Sequence, residues 1–223
     1  MPMEPIVLVS AKDMVTEKLR QEIYIGNLKP GEELVQEKIS EQLGVSRMPV
    51  REALLLLESA GLIEFQKNKR AIVKSVTPES IAEHLEIRAI LESHAVRKAC
   101  QRAKNFDRLA RIMRKFEDCG SEDEERFRDL NTRFHFEIWR LAESPQLQRM
   151  LEQLWYQIPS AYPLDRAKNF HRNMEEHTAI FDALVRQDAN CAADMLARHI
   201  SGTRDIVITR LHQQKDDRLP EDS

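Results

Sequence analysis

Cysteine, glycine and aromatic residues are all scarce in this chain, with three Cys, six Gly and 6% Phe, Trp and Tyr in 223 residues. Cys100, Cys119 and Cys191 are odd in number and far apart, which argues against a disulfide framework and against a cysteine-based zinc site. There is no Gly-rich phosphate-cradling loop, and nothing pairs a nucleophile with a base, so the common nucleotide-hydrolysing and covalent-catalytic designs lack support. No apolar run approaches the length of a membrane span and no signal peptide is visible, so the chain is expected to be cytoplasmic. The nine residues from Lys215 to Ser223 are polar and, like residues 1–9, are expected to form a disordered tail.

The most informative stretch is Gly44-Val45-Ser46-Arg47-Met48-Pro49-Val50-Arg51-Glu52-Ala53-Leu54. Gly44 can end a short helix carrying Leu34, Ile39 and Leu43, and Ser46 can cap the next. Pro49 falls in the first turn of that second helix, where a missing N–H breaks no intrahelical bond. Val50, Ala53, Leu54 and Leu57 share one face, and the helix is expected to run from Arg47 to about Ser59 before Gly61. Arg47 and Arg51 then lie one turn apart near its start, within reach of phosphates or guanine edges in a major groove. Upstream, Met14 to Ile25 carries Val15, Leu19, Ile23 and Tyr24 at helical spacing. Downstream, Leu62–Phe65 and Ala71–Val76 are β-prone runs around a basic tip, Lys67, Lys69 and Arg70. Residues 10–76 hold 11 Lys and Arg against 10 Asp and Glu, so the region is nearly neutral while basic charge gathers where a duplex would lie. A solvated helical surface is the plain alternative for the arginine pair alone.

Gly44 to Leu54, with Gly61-Leu62-Ile63 after it, resembles the signature of GntR-type bacterial transcription regulators, and every position matches except Met48, where threonine is usual. The resemblance implies that Ser46, Arg47 and Arg51 touch DNA, and it makes Met48 an apolar contact in place of a polar one. It does not extend that role to Glu37, where some relatives use arginine. The wing fits less closely, because Arg70 stands where relatives often place glycine after a basic residue.

From Thr77 onward glycine nearly disappears and amphipathic patterns predict six helices: Pro78–Arg102, Phe106–Cys119, Glu124–Glu143, Pro145–Gln157, Leu164–Gln187 and Ala189–Gln213. This half resembles the ligand-binding domain of the FadR branch of the same family, and six helices suggest its VanR-like subgroup. The matching residues are Arg88-Ala89-Ile90-Leu91-Glu92, Phe134-His135, Glu176-His177 with Phe181 and Leu184, and Ala197-Arg198-His199-Ile200. The resemblance implies a Zn²⁺, Ni²⁺ or Mn²⁺ site on Asn131, His135, His177 and His199, with Asn131 replacing the usual aspartate and so weakening it. A lone histidine on an apolar helix face is more often a hydrogen-bonded core residue than a ligand, and it is the joint match of the three to family positions that favours metal. His84, His94, His171 and His212 are expected at the surface or in packing. Arg88 either pairs with Glu92 one turn away or holds an effector carboxylate, with Trp155 and Tyr156 as candidate pocket walls.

These readings converge on a mainly α chain. An N-terminal winged helix-turn-helix of three helices and a β-hairpin, residues 10–76, precedes an all-α six-helix antiparallel bundle, residues 77–214. The expected function is a homodimeric repressor that binds a near-palindromic operator and responds to a small-molecule effector, an organic acid. The alternatives are a structural DNA-binding protein that senses nothing and a metal-dependent enzyme.

Overall fold

The computed structural model describes residues 10–155 and 166–216. Tyr156, the Pro159–Pro163 break and residues 1–9 and 217–223, named above, lie outside the described residues. The chain divides into two compact units, the first running through Val76 and the second beginning at Thr77.

In the first unit, helix α1 (Ala11–Ile25) starts earlier than periodicity alone indicates. Ser10 sets the start, its hydroxyl accepting a hydrogen bond from the Asp13 N–H at 3.1 Å. Val15, Leu19, Ile23 and Tyr24 form its buried face. Helix α2 (Gln36–Leu43) ends at Gly44, whose φ of 64° is a left-handed value suited to glycine. Helix α3 (Arg47–Ser59) buries Val50, Ala53, Leu54 and Leu57 completely, at ~1.5–3 kcal/mol for each larger side chain.

Two expectations need correcting here. Leu34 does not belong to the helix carrying Ile39 and Leu43; with Glu33 it forms strand β1 (Glu33–Leu34). That strand pairs antiparallel with β3 (Ala71–Val73), which pairs in turn with β2 (Ile63–Phe65), giving the order β1-β3-β2. The wing is thus a three-stranded sheet, because burying Leu34 opposite Ala71 closes the core beneath it. Ser46 does occupy the N-cap of α3, but its hydroxyl makes no capping bond. The third helical residue is Pro49, which has no N–H to donate.

The second unit contains α4 (Pro78–Arg102), α5 (Asp107–Glu117), α6 (Glu124–Leu141), α7 (Pro145–Trp155), α8 (Arg166–Val185) and α9 (Ala189–Asp216). All six expected helices are present; α9 continues through Lys215 and Asp216, which were expected in the tail. Thr77 and Ser80 form a reciprocal capping box at the start of α4. With so little glycine, the left-handed backbone needed between helices falls on Glu143 (φ 45°) and Gln187 (φ 56°). Helices α4 and α9 pack closely, and the Ser93 hydroxyl donates to the Ala193 carbonyl at 3.1 Å. At its C-terminal end α4 is tied to α6 by Arg102, which donates to the carbonyls of Ala142 (3.3 Å) and Glu143 (2.7 Å).

Candidate functional site

The first unit presents Ser46, Arg47, Met48 and Arg51 to solvent at the start of α3, opposite the buried Val50–Leu57 face. Met48 is 60% exposed, among the more exposed of the large apolar side chains. The Arg47 guanidinium is ion-paired with Glu37 of α2. At the wing, Lys67, Lys69 and Arg70 are all exposed. The tight turn is closed by bonds from the Gln66 N–H to the Arg70 carbonyl (2.9 Å) and from the Lys69 N–H to the Gln66 carbonyl (2.8 Å). Lys69 supplies the left-handed residue, with φ of 63°, so the conformation that relatives assign to glycine falls one position before Arg70. Arg70 reaches Glu33 at 3.5 Å.

In the second unit the expected histidines meet. His135 on α6, His177 on α8 and His199 on α9 are buried, and one ligand nitrogen from each lies within 4.8 Å of the others. Ring centroids are 4.7 Å apart for His177 and His199 and 5.5 Å for His135 and His199. Neither ring nitrogen of His177 has a hydrogen-bond partner, although the residue is fully buried. Orphaned polar atoms of that kind cost about 1–3 kcal/mol each, a cost that coordination would remove. Burial, with His199 and His135 nearby, also holds its pKa well below the usual histidine value, so the ring is in the neutral form that binds metal. The residues present therefore fit a divalent ion. Asn131 is half-buried one turn before His135 on the same helix.

The outer partners of the cluster come from two glutamates that the sequence reading named but did not connect with these imidazoles. Glu92, fully buried on α4, takes the His135 Nδ1–H on Oε2 at 2.6 Å and the Trp139 indole N–H on the same oxygen at 3.2 Å. Its Oε1 takes the Arg88 Nε–H at 2.6 Å. Indole and guanidinium only donate, so Glu92 acts as an ionised carboxylate and His135 must donate too. Burial alone would raise the Glu92 pKa, but His135 and Arg88 outweigh it and hold the value at about 2. Burial pushes the His135 pKa down, against an opposing pull from Glu92. A parallel arrangement joins α8 and α9: the Glu176 carboxylate accepts from His199 Nδ1–H at 2.6 Å and lies 3.5 Å from Arg172 Nε. Glu92 sits in the apolar stripe with Leu85, Val96 and Ala99, and a charge there was the available sequence signal.

Arg88 makes the Glu92 pair and also stacks over Trp155, its Cζ 4.2 Å from the ring centroid. Trp155 in turn lies against His135, with centroids 4.9 Å apart. Arg88, Trp155 and the histidines thus share one continuous site. His94 and His171 are exposed and stand outside the cluster, while the side chain of His212 is outside the described residues.

A winged helix-turn-helix and an all-helical unit containing a buried imidazole cluster define a DNA-binding regulator with a sensing domain. Residues 11–73 match the family model for bacterial regulatory proteins of the gntR family, and residues 83–202 match the FCD domain. The chain is 30% identical to the HTH-type transcriptional regulator McbR of Escherichia coli K12, over 86% of this chain and 92% of that one. It is 28% identical to the Nta operon transcriptional regulator of Aminobacter aminovorans, over 86% and 95%. The solved structure of E. coli McbR/YncC superimposes with a TM-score of 0.70 at 27% identity, covering 92% of this chain and 100% of that one. This chain belongs to the GntR family of transcription regulators and carries an FCD domain; its relatives are regulators and not enzymes. None of the helices among the described residues is long and apolar enough to cross a membrane.

Proposed function

We propose that this protein is a cytoplasmic repressor of the VanR-like subgroup of the FadR branch, acting as a homodimer on a near-palindromic operator. The observation that carries the sensing half is the convergence of His135, His177 and His199, with the Arg88–Trp155 pair directly beside it. Asn131, His135, His177 and His199 would hold a Zn²⁺, Ni²⁺ or Mn²⁺ ion, less tightly than a set containing aspartate. When bound, the ion supplies positive charge that attracts a carboxylate effector. Arg88 would orient that carboxylate by a charge-assisted hydrogen bond, while Trp155 walls the pocket. On the other unit, Ser46, Arg47 and Arg51 would position α3 in a major groove, Met48 would meet an apolar base edge such as a thymine methyl, and Lys67, Lys69 and Arg70 would bind phosphates.

Pairing of two copies is supported by Ile87 and Ile90, exposed on α4. Ile90 lines an open groove of about 340 Å³ between α4 and α9 that mixes Leu85 and Ala197 with Glu86, Arg97, Asp194 and Arg204, a composition suited to self-complementary contact. An effector acts by binding one head arrangement better than the other, at a typical coupling of roughly 1–3 kcal/mol. The decisive test is Arg51→Ala in a gel shift against operator fragments selected by the wild-type protein. Affinity should fall by about 1–3 kcal/mol while the dimer persists in sedimentation. Unchanged affinity would remove the DNA assignment of α3.

A further inference from the structure

The two imidazoles with outer partners are served by similar devices, although the Arg172 Nε–H, 3.5 Å from Glu176, makes no hydrogen bond whereas the Arg88 Nε–H does. Arg88–Glu92 on α4 and Arg172–Glu176 on α8 are both i, i+4 ion pairs, and in each the glutamate also accepts an Nδ1–H from a cluster histidine. His177 has no such relay. Donation from Nδ1 leaves Nε2 as the ligand atom of His135 and His199, and an anionic acceptor makes that nitrogen a stronger donor to a cation. Asn131 contributes no negative charge, so the two glutamates carry the anionic character that the ligand set itself lacks. Their environments differ: Glu92 is fully buried, whereas the Glu176 side chain is 29% exposed and water screens its charge.

We propose that Glu92 is a positioning residue through which Arg88 sets the cation affinity of the histidine cluster, an inference that rests on the metal reading given above. One carboxylate serves both neighbours, Oε1 bound to Arg88 and Oε2 to His135 and Trp139. Negative charge drawn toward the guanidinium is withheld from the imidazole. A ligand anion that engages Arg88 releases that charge to His135 and strengthens the hold on the ion. Anion and metal therefore bind with positive coupling, and each must raise the affinity of the other by the same factor.

The test is a zinc titration of the chelator-treated full-length protein, with affinity measured by competition against a chromophoric chelator. Emission from the protein's two tryptophans gives a second readout, since Trp139 and Trp155 both touch this network. Glu92→Gln should weaken zinc binding about 10–100-fold. Arg88→Met should tighten it several-fold, Arg88→Lys should stay near wild type, and Arg172→Met should give a smaller gain than Arg88→Met. Combining Arg88→Met with Glu92→Gln should reproduce Glu92→Gln alone. Persistence of the Arg88→Met gain in that double variant would mean that Arg88 acts by direct repulsion, overturning the relay. If Glu92→Gln does not fold by circular dichroism, Glu92→Asp, too short to bridge Arg88 and His135 together, takes its place in the single and double variants, and an Arg88→Met gain undiminished in that background would refute the relay. Wild-type protein that binds no zinc would defeat both this inference and the metal reading; zinc binding unchanged in folded Glu92→Gln would defeat this inference alone.

Discussion

Glu37 and Arg47, one on each helix of the helix-turn-helix, are ion-paired across the turn that separates them. The pair places a carboxylate beside an arginine proposed to contact DNA, so a bound duplex would compete with Glu37 for the guanidinium. Glu37→Gln is expected to raise affinity for DNA of any sequence several-fold at low salt, by removing both the competitor and a charge that repels phosphate. The salt dependence should steepen by about one in logarithmic slope. Fluorescence anisotropy across a salt series measures both, and an unchanged slope would show that Arg47 already binds phosphate in the wild type.

Met48 is the one departure from the family's turn-helix signature and is fully available on the surface. Restoring threonine there, Met48→Thr, should change stability by no more than about 0.5 kcal/mol, because the side chain is mostly exposed. Base preference at one operator position per half-site should change by about 1–3 kcal/mol. Selection from a randomised duplex pool reads this directly; identical selected sequences would make Met48 neutral.

His177 is a stability cost that metal binding would repay. His177→Phe keeps an aromatic ring against Phe134 and Phe116, whose centroids lie 4.5 and 5.2 Å away, and removes two unpartnered nitrogens. The metal-free variant should be more stable by about 1–3 kcal/mol, a rise of several degrees in Tm. Added zinc should raise the wild-type Tm but leave the variant's unmoved. A variant less stable than metal-free wild type would show that the nitrogens are satisfied in solution.

Lys69 holds a left-handed backbone at the tip of the wing. Lys69→Gly should relieve about 1 kcal/mol of strain there. It should also weaken DNA binding and lower the salt slope by about one, since a charge proposed to meet phosphate is lost. Thermal unfolding and anisotropy separate the two effects, and lower stability in the variant would contradict the strain.

The helices were legible because local chemistry marks their ends: Thr77, Pro78 and Ser80 announce α4, and Gly44 announces the turn before α3. Strand β1 was not legible, because two residues carry no periodicity and Leu34 is strand only by virtue of its pairing with Ala71. Pro49 removes one of the two N–H groups that a Ser46 cap could accept from, a signal present in the sequence, but the loss of the remaining bond to Met48 was not legible there. For the site, family likeness located the three histidines, and the fold brings them together. Glu92 was visible only as a partner for Arg88, because its bond to His135 spans 43 residues and depends on how α4 lies against α6.

Helix α4 is unbroken for 25 residues and is tied to α6 at two points, through Glu92 in its interior and Arg102 at its end. Its first turn, at Pro78, is about 21 Å from Glu92 at 1.5 Å per residue. A pivot of about 5° about Glu92 would move Pro78 by about 2 Å, ten times what it does to an atom 2 Å from the fulcrum, and the buried Ile81 and Leu85 lie on the part of the helix that would have to shift with it.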